Sequence, residues 1–542
     1  MRMPYFTLAL GFVFLWLATL VTPVCRAGAR ADDEPASKRL PADVEKADPK
    51  TQTDLGVSYY QQGEFARAVA CFRRAAAQGY AEAQAKLGYC YFHGQGVPQD
   101  KSQAVKWYRQ AADLGLAKAQ QNLALCYYQG QGVERNPAEA VKWFRLAAKQ
   151  GWAGAQCSLG VCLFNGEGVK RDDAQAVKWL RLAANQGLPE AQTYLGTSYL
   201  DGRGVKADPL EAVKWLRQAA DSGYPAAQGK LGLCYLEGRG VKANAVEAVK
   251  WLRQAADEGD AAAQGNLGTC YLNGQGVEPN LAEAIRWLGR AADQGLAGAQ
   301  SNLGACYLEG RGVPQDAARA VQWFEKAAAQ GYAVAQNNLA ACYIDGHGVD
   351  RDYSLAIRWL RQAAGQDLAE AQSKLGWFYF FGQGVTKDTA EAVKWYRRAA
   401  EQGYPKAQHN LGVCYLNGEG VPLNYLEAVK WFRRAADQGY ADAQHNLGAC
   451  YLDGKGVKSD PIEAVAWFRK AARQGLPEAQ RVLGDCYERG QGVTQDPVEA
   501  LKWYLLAADQ GDQDAAQARD RLQDTLSTGQ IAEAKRRTAV AE

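Results

Sequence analysis

A 36-residue period runs through most of this chain and constrains its fold more than any other feature. Twelve tryptophans lie 36 residues apart, from Trp107 to Trp503, and twelve Ala-Gln pairs and twelve Gly-x-Gly-Val segments keep the same spacing. Each unit holds two apolar runs at helical spacing, of the form AQAKLGYCYFHG and SQAVKWYRQAADLG. Such a unit cannot bury its apolar face alone and must stack on the next. The sequence therefore predicts one elongated all-α domain of helix pairs.

The Gly-x-Gly-Val segments are interpreted as turns. A dinucleotide-binding loop needs a third glycine after a buried strand and a Walker loop needs Gly-Lys-Ser/Thr, and neither pattern is present. An aspartate or asparagine seven residues before each tryptophan is placed to cap the second helix of its unit. The predicted caps are Asp100, Asn136, Asp172, Asp208, Asn244, Asn280, Asp316, Asp352, Asp388, Asn424, Asp460 and Asp496. In eight units a glutamate three residues later predicts a capping box. These are Glu139, Glu211, Glu247, Glu283, Glu391, Glu427, Glu463 and Glu499.

The second helices also show which face they bury. Ala104, Trp107 and Ala111 fall on one side of such a helix and predict a close helix contact with the indole at its centre. The aromatic column is therefore expected to be core.

With Ala-x-Ala-Gln, Leu-Gly-x-x-Tyr, Gly-x-Gly-Val, Asp/Asn and Ala-x-x-Trp at this period, the chain resembles the Sel-one-like repeat family, relatives of the tetratricopeptide repeats. The resemblance spans about Thr51 to Gln510. It implies a right-handed α-solenoid superhelix of about thirteen antiparallel helix pairs that acts as a non-catalytic scaffold or adaptor for other proteins. Some exported cysteine-rich relatives are β-lactamase-like. The resemblance thus leaves open an envelope enzyme acting on β-lactam or peptidoglycan fragments.

Expected boundaries follow from the repeats and from composition. They are a signal peptide at 1–31, a flexible charged linker at 32–50, a tetratricopeptide-like first repeat at 51–84, Sel-one-like repeats at 85–511, a capping helix at 512–528 and a flexible tail at 529–542. The first unit is set apart because it lacks the glycine-rich loop. The capping helix is expected because terminal repeats need a polar outer face.

The amino terminus is typical of an exported protein. Arg2, an apolar stretch at 5–24 and the small-residue site Ala29-Arg30-Ala31 before Asp32 predict a signal peptide and a location in the periplasm or outside the cell. The apolar stretch is also long enough to remain as a membrane anchor, which is the alternative. Lipid attachment at Cys25 is disfavoured by Val24, which stands where a small residue is required.

Ten of the thirteen cysteines occupy one position of the repeat. Equivalent positions in stacked helices lie roughly 8–10 Å apart, beyond the ~7 Å Cα separation that a disulfide allows. We therefore interpret them as small buried hydrophobic residues, with disulfides as the alternative. Their order along the chain is Cys90, Cys126, Cys162, Cys234, Cys270, Cys306, Cys342, Cys414, Cys450 and Cys486.

Residue types and charge argue against a cofactor, a metal and nucleic acid. Four histidines without a ligand spacing predict no metal site. Neither Ser-x-x-Lys nor Lys-Thr-Gly occurs, so the serine β-lactamase constellation is missing. The 62 basic and 59 acidic residues nearly balance, which gives no electrostatic case for nucleic acid. Lysine or arginine precedes ten of the tryptophans, and arginine stands two residues after nine of them. These residues would form a basic stripe, which we expect to be mostly neutralised by acidic residues four positions past the arginine.

The first helices carry the predicted partner-binding face. At 100° per residue, positions equivalent to 85, 86 and 89 point away from Leu87, the centre of the predicted buried face. Position 86 is asparagine in half of the units, and evenly spaced amides can pair with the backbone of an extended peptide. The neighbouring positions vary, as partner contacts along a superhelical groove would; the competing interpretation is a merely solvated face. The predicted residues are Asn122, Asn266, Asn302, Asn338, Asn410, Asn446, Tyr89, Trp377, His409, His445 and Arg481.

Overall fold

The computed structural model describes residues 46–539, and within that range it holds 28 helices and no strand. The predicted signal peptide, all but the last few residues of the predicted linker, and residues 540–542 lie outside the described residues. The all-α prediction is confirmed, since consecutive helices pack against each other within each of the two units described below, except the last two, which both pack on Pro497–Asp509. No helix in residues 46–539 is long and apolar enough to cross a membrane.

The chain divides into two compact units, with the boundary in the sequence after Asn280. The helices of the first unit span Pro49–Gln61, Phe65–Ala77, Ala81–His93, Lys101–Asp113, Ala117–Gln129, Pro137–Lys149, Ala153–Asn165, Asp173–Asn185, Pro189–Asp201, Pro209–Asp221, Pro225–Glu237, Ala245–Asp257 and Ala261–Asn273. Those of the second unit span Leu281–Asp293, Ala297–Glu309, Ala317–Ala329, Ala333–Asp345, Tyr353–Gly365, Ala369–Phe381, Thr389–Glu401, Pro405–Asn417, Tyr425–Asp437, Ala441–Asp453, Pro461–Arg473, Pro477–Arg489, Pro497–Asp509, Gln513–Gln523 and Thr528–Ala539.

Each repeat contributes a first helix that carries the Ala-Gln pair and a second helix that carries the tryptophan. The first helix ends at a glycine in the left-handed region, as at Gly94 with φ of 71°, whose N–H donates to the carbonyl of Cys90. The second helix begins at the predicted Asp or Asn; in Ala317–Ala329, for example, the Asp316 carboxylate accepts from the amide of Arg319 at 2.9 Å. Eleven of these caps are present in the described residues.

The predicted capping boxes do not form at the seven of these eleven caps that are followed by the glutamate. The amide of the cap residue already donates to a tyrosine carbonyl of the preceding first helix, as Asn136 does to Tyr127 at 2.8 Å. Glu139 therefore has no cap amide to accept from and pairs with Lys142 instead, at 2.8 Å.

The second glycine of the loop packs consecutive repeats together. At Gly204, φ is 71°, and an added Cβ would lie 2.1 Å from the carbonyl oxygen of Asp173, at the start of the preceding second helix. The loop thus lies on the neighbouring helix without space for a side chain, which is a packing role and not an anion site.

The core matches the predicted one only in part: the repeated tryptophan is buried in four repeats, as Trp287, Trp431, Trp467 and Trp503, and half-buried in the other eight. Ala104 and Ala111 are fully buried as predicted, but the aromatic ring between them is Tyr108, whereas Trp107 is half-buried. The residue after tryptophan is buried in every described 36-residue repeat. Positions 104, 108 and 111 span the same arc of the helix as 104, 107 and 111, so the helical period alone does not distinguish the two sets.

The two chain ends also differ from their predicted boundaries. The first helix starts at Pro49, inside the predicted linker, with Asp48 as its cap. The capping helix is shorter than predicted, at Gln513–Gln523. The predicted flexible tail is wrong for residues 529–539, which belong to the helix Thr528–Ala539. Arg537 of that helix pairs with Glu499 at 3.0 Å, and a fully buried Ala534 packs in the last core cluster.

Candidate functional site

Glutamine side chains fix the first helices in place. In each of the twelve Ala-Gln pairs the side-chain amide nitrogen of the glutamine donates to a carbonyl of the preceding second helix at 3.0–3.3 Å, and the glutamine is buried. In eight repeats its oxygen accepts from a glutamine 30 residues later, at 2.7–2.9 Å. Gln408, for example, donates to Ala400 and accepts from Gln438. These amides tie each repeat to the next, so their role is structural.

The second helices present a basic surface whose charges are paired differently than predicted. The lysine or arginine before tryptophan pairs with the glutamate three residues earlier, as Lys394 does with Glu391 at 2.8 Å. The arginine two residues after tryptophan does not pair with the acidic residue that stands four positions after the arginine. It donates to a tyrosine hydroxyl of the following first helix, as Arg361 does to Tyr379 at 2.9 Å. The Glu–Lys pairs offset part of the predicted basic stripe, and the arginines are held in packing contacts.

The described thiols are buried, and burial disfavours their reactive thiolate form. The twelve cysteines among the described residues are unpaired and buried, as the sequence analysis expects of the column cysteines. Burial raises the pKa of the Cys126 thiol to about 12 and that of Cys270 to about 11, which leaves little nucleophilic thiolate at neutral pH. No group of His, Cys, Asp and Glu in residues 46–539 is arranged to hold a metal ion.

The predicted positions equivalent to 85 lie between neighbouring first helices. The side chains of Gln121, Cys157, Ser301 and Asn337 at this position are all buried. They contact the next first helix; Asn337, for instance, accepts from Lys374 at 3.2 Å. Sequence reasoning placed this position on an open face because it considered each first helix apart from its neighbour.

His409, His445 and Arg481 hold this position in three successive repeats and are half-buried. The ring nitrogens of His409 contact Asn410 at 3.3 Å and Asn446 at 2.9 Å. Arg481 pairs with Asp512 at 3.4 Å. Burial lowers the pKa of both histidines, so they are neutral at pH 7. These side chains join adjacent helices and expose only part of their surface.

The six predicted asparagines are all half-buried on the first helices. Asn410 and Asn446 are engaged through His409. Of the other predicted residues, the Tyr89 ring lies 4.2 Å from His93 and 6.4 Å from Tyr60, as centroid distances. The structure thus brings the predicted residues onto one set of helices in each unit, but several of them act as contacts between repeats.

Trp377 is the predicted residue with the most unusual surroundings. It is half-buried, and its ring lies 5.0 Å from the ring of Phe381, which is 55% exposed. Sequence reasoning did not select Phe381, although the run of aromatic residues from 377 to 381 was a visible signal.

Two carboxylates at one repeat position have opposite surroundings. Glu370 is bonded by Lys374 at 2.8 Å; burial alone would raise its pKa, but Lys374 outweighs burial and the pKa is lowered. Glu190 has no basic partner in the described residues, and burial raises its pKa to about 7. Burial and then the nearby Glu190 also raise the pKa of the Cys157 thiol and the Tyr224 hydroxyl.

Comparison with known families gives one match that repeats along the chain. The model described as "Sel1 repeat" matches residues 49–80, 81–116, 117–152, 153–188, 189–224, 225–260, 261–296, 297–332, 333–368, 369–404, 405–440, 441–476 and 477–512. The short first unit, described above as tetratricopeptide-like, therefore matches the same model as the other twelve. A search of curated proteins found no match.

Two solved bacterial structures are similar to this chain. One is a protective antigen present in uropathogenic Escherichia coli strains, which displays an SLR fold. Its sequence is 38% identical to this one over a match that covers 81% of this chain and 94% of the antigen chain, with a TM-score of 0.62. The other is a Sel1 repeat protein from Oxalobacter formigenes, 37% identical, covering 57% of this chain and 90% of its own with a TM-score of 0.43.

Proposed function

Because the chain belongs to the Sel1 repeat family, we propose that it is a non-catalytic scaffold that binds another protein, or an extended segment of one, along the face of its first helices. The Sel1 repeat is a scaffold fold that typically mediates protein interaction. A solenoid supplies a long surface with few constraints on what it recognises, so the partner must be inferred from the side chains.

One observation carries the proposal: a nearly uniform framework displays a surface that differs from repeat to repeat. The glutamine bonds, helix caps and loop contacts recur along the chain. The position equivalent to 89, in contrast, is half-exposed in ten of the twelve 36-residue repeats, where it holds Thr197, Leu233, Ala341 and Trp377 among others; it is buried in two, as Leu125 and Val161. Side chains that stability does not dictate, presented on rigid helices, favour recognition of a partner.

The asparagines of the first helices are proposed to bond the backbone of an extended partner. An amide offers both a donor and an acceptor, and a regular spacing suits a peptide whose side chains are read elsewhere. Asn266 and Asn338 are the clearest candidates, since Asn410 and Asn446 also bond His409.

The experiment is a selection of random peptides on the purified full chain, followed by measurement of affinity by fluorescence polarisation. A variant with Asn302, Asn338, Asn410 and Asn446 all replaced by alanine should bind the selected peptides at least about tenfold more weakly, because four amide contacts are removed. The matched control replaces Asn165, Asn273 and Asn417, which lie at the ends of first helices. Equal affinity for both variants would move the site away from the asparagines, and failure to select any peptide would contradict the proposed function.

The absence of catalysis is part of the proposal and has its own test. The nucleophile and base pairing of a β-lactamase has no counterpart in the sequence, and the described thiols are buried. We expect no hydrolysis of nitrocefin by the purified chain. Turnover that persists through successive purification steps would contradict a purely binding role.

We also propose that the protein acts outside the cytoplasm, in the periplasm or beyond the cell surface. This rests on the charged start, the apolar stretch and the Ala29-Arg30-Ala31 site of residues 1–31. N-terminal sequencing of the protein from the exporting cell should return Asp32. A sequence beginning at Met1 would instead support the membrane anchor, and an acylated Cys25 a lipoprotein.

A further inference from the structure

The first helix Ala369–Phe381 ends in five consecutive aromatic residues, Trp-Phe-Tyr-Phe-Phe, at 377–381. Elsewhere in the chain no more than two aromatic residues stand in a row. Five successive residues of an α-helix point in all directions around its axis, because each is rotated about 100° from the last. The core can accept only part of such a run.

The structure shows which rings the core accepts. Phe378 takes the position of the buried cysteines and is 1% exposed. Tyr379 packs in the core and accepts a hydrogen bond from Arg361. Phe380 is half-buried against the neighbouring cluster. Trp377 packs against both clusters with part of its ring and contacts Phe381, which is more than half exposed.

The framework does not require this pair. The position of Trp377 is alanine in three other repeats, Ala305, Ala341 and Ala449. The position of Phe381 is asparagine in three, Asn165, Asn273 and Asn417. Two adjoining aromatic rings, at positions that other repeats fill with alanine or asparagine, are of the residue types that dominate the energetics of protein interfaces.

An unpaired carboxylate lies at the equivalent position of the preceding first helix. Asp345 there is exposed and has no ion pair among the described residues. Its counterparts are all paired: Asp201 with Arg239 at 3.7 Å, and Asp453 with Lys455 at 3.0 Å. Glu237 and Glu309 are likewise paired with arginines, each at 3.7 Å.

The Asp201–Arg239 pair also shows where this carboxylate lies in the repeat, because it joins the end of one first helix to the loop that follows the next first helix. By the same repeat relation, Asp345 lies beside the loop after Phe381, where Gln383 replaces the arginine. The loop that follows the aromatic pair is therefore adjoined by a carboxylate that has no ion pair among the described residues.

From this arrangement we propose that Trp377, Phe381 and Asp345 form an anchor site for an extended segment of a partner protein. The segment places an apolar side chain on the two rings and a neighbouring lysine or arginine on Asp345. The inference rests on the proposed function and specifies where along the chain, and by which chemistry, the partner is held.

The test uses peptides selected from a random library on the purified full chain. Selected sequences should contain an apolar residue within a few positions of lysine or arginine. The variant Phe381→Asn restores the residue found in other repeats and should weaken binding at least about tenfold. Trp377→Ala/Phe381→Asn should weaken it further. Ile462→Asn is the matched control, since Ile462 is 73% exposed in another repeat and should leave the affinity unchanged.

Asp345→Asn separates the charge from the rings. This substitution should lower the affinity for a peptide that contains the basic residue several-fold. It should leave unchanged the affinity for the same peptide with glutamine in place of that residue, so that the effects of the two changes are non-additive. Circular dichroism and melting of each variant establish that it is folded.

Two results would overturn the anchor site while the proposed function stands: selected peptides that bind Phe381→Asn as tightly as the parent, or peptides without an apolar and basic pair. If the chain selects no peptide but sediments with anionic lipid vesicles through the same rings, both the anchor site and the proposed function are contradicted.

Discussion

Glu190 and Glu370 occupy the same repeat position, and we predict that replacing each by glutamine changes stability in opposite directions. Glu190 is half-buried and has no basic partner among the described residues, and its pKa of about 7 lies above the ordinary value of 4.5. Between these two pH values the folded protein keeps a proton that the unfolded chain releases. The free energy of unfolding therefore falls as pH rises through this window and is constant above it.

The magnitude follows from the shift. A displacement of about 2.5 units corresponds to at most about 3 kcal/mol at 1.36 kcal/mol per unit. Glutamine resembles the protonated form and stays neutral. Glu190→Gln should therefore match the wild type near pH 4.5 and exceed it by up to about 3 kcal/mol at pH 8.

Glu370 reverses the sign because Lys374 stabilises its charged form. The contribution of Glu370 to the free energy of unfolding is present above the pKa of the unfolded chain and is lost as pH falls through the lower pKa of the folded protein. Glu370→Gln should lower stability at pH 8 by no more than about 1 kcal/mol, as for other solvent-accessible pairs.

The assay is urea unfolding followed by circular dichroism at pH 4.5, 6 and 8 for the wild type and both variants. A difference between the wild type and Glu190→Gln that does not change with pH would refute the assignment of a neutral buried carboxyl. So would a Glu370→Gln variant that follows the same pH profile as Glu190→Gln.

Three further predictions test the framework. Gln408→Leu removes the hydrogen bond donated to Ala400 and the one accepted from Gln438, and should lower the free energy of unfolding in urea by about 2 kcal/mol. An unchanged free energy of unfolding would mean that water replaces these bonds. Gly204→Ala should destabilise by about 2 kcal/mol more than Gly223→Ala, because both have positive φ but only the first would meet a carbonyl; equal melting temperatures would contradict this loop packing. The buried thiols should resist alkylation in the folded protein and all react after denaturation under non-reducing conditions, whereas disulfide-linked peptides would contradict their unpaired state.

The repeat framework could be predicted from sequence because its determinants are local. Helix caps act within a few residues, as at Asp316, and a left-handed glycine ends each first helix, as at Gly94. The capping boxes failed for a reason that local patterns do not contain, namely that the amide of Asn136 is occupied by Tyr127 of another helix. The arginine partners were missed in the same way, since Tyr379 lies 18 residues from Arg361.

The candidate site could be predicted less well, because it depends on how neighbouring first helices meet. A helical projection of one helix correctly separates Leu87 from its opposite side, but it cannot show that Asn337 is covered by the next helix. The exposure of Phe381 was equally hidden, since a run of aromatic residues is normally a sign of core. Composition alone indicates burial; the repeat geometry identifies the half-buried Trp377 and the exposed Phe381 as the rings that reach the surface.

The pairing of Gln408 with Gln438, repeated along each unit, bears on how such a chain changes over evolutionary time. Each copy offers its neighbours the same donors, acceptors and glycine contact. Recombination between copies can therefore add or remove 36 residues without creating a mismatched junction, whereas a deletion of any other length would break the register. Copy number and the order of surface side chains can vary independently of the fold, so binding specificity can be reassembled from existing modules.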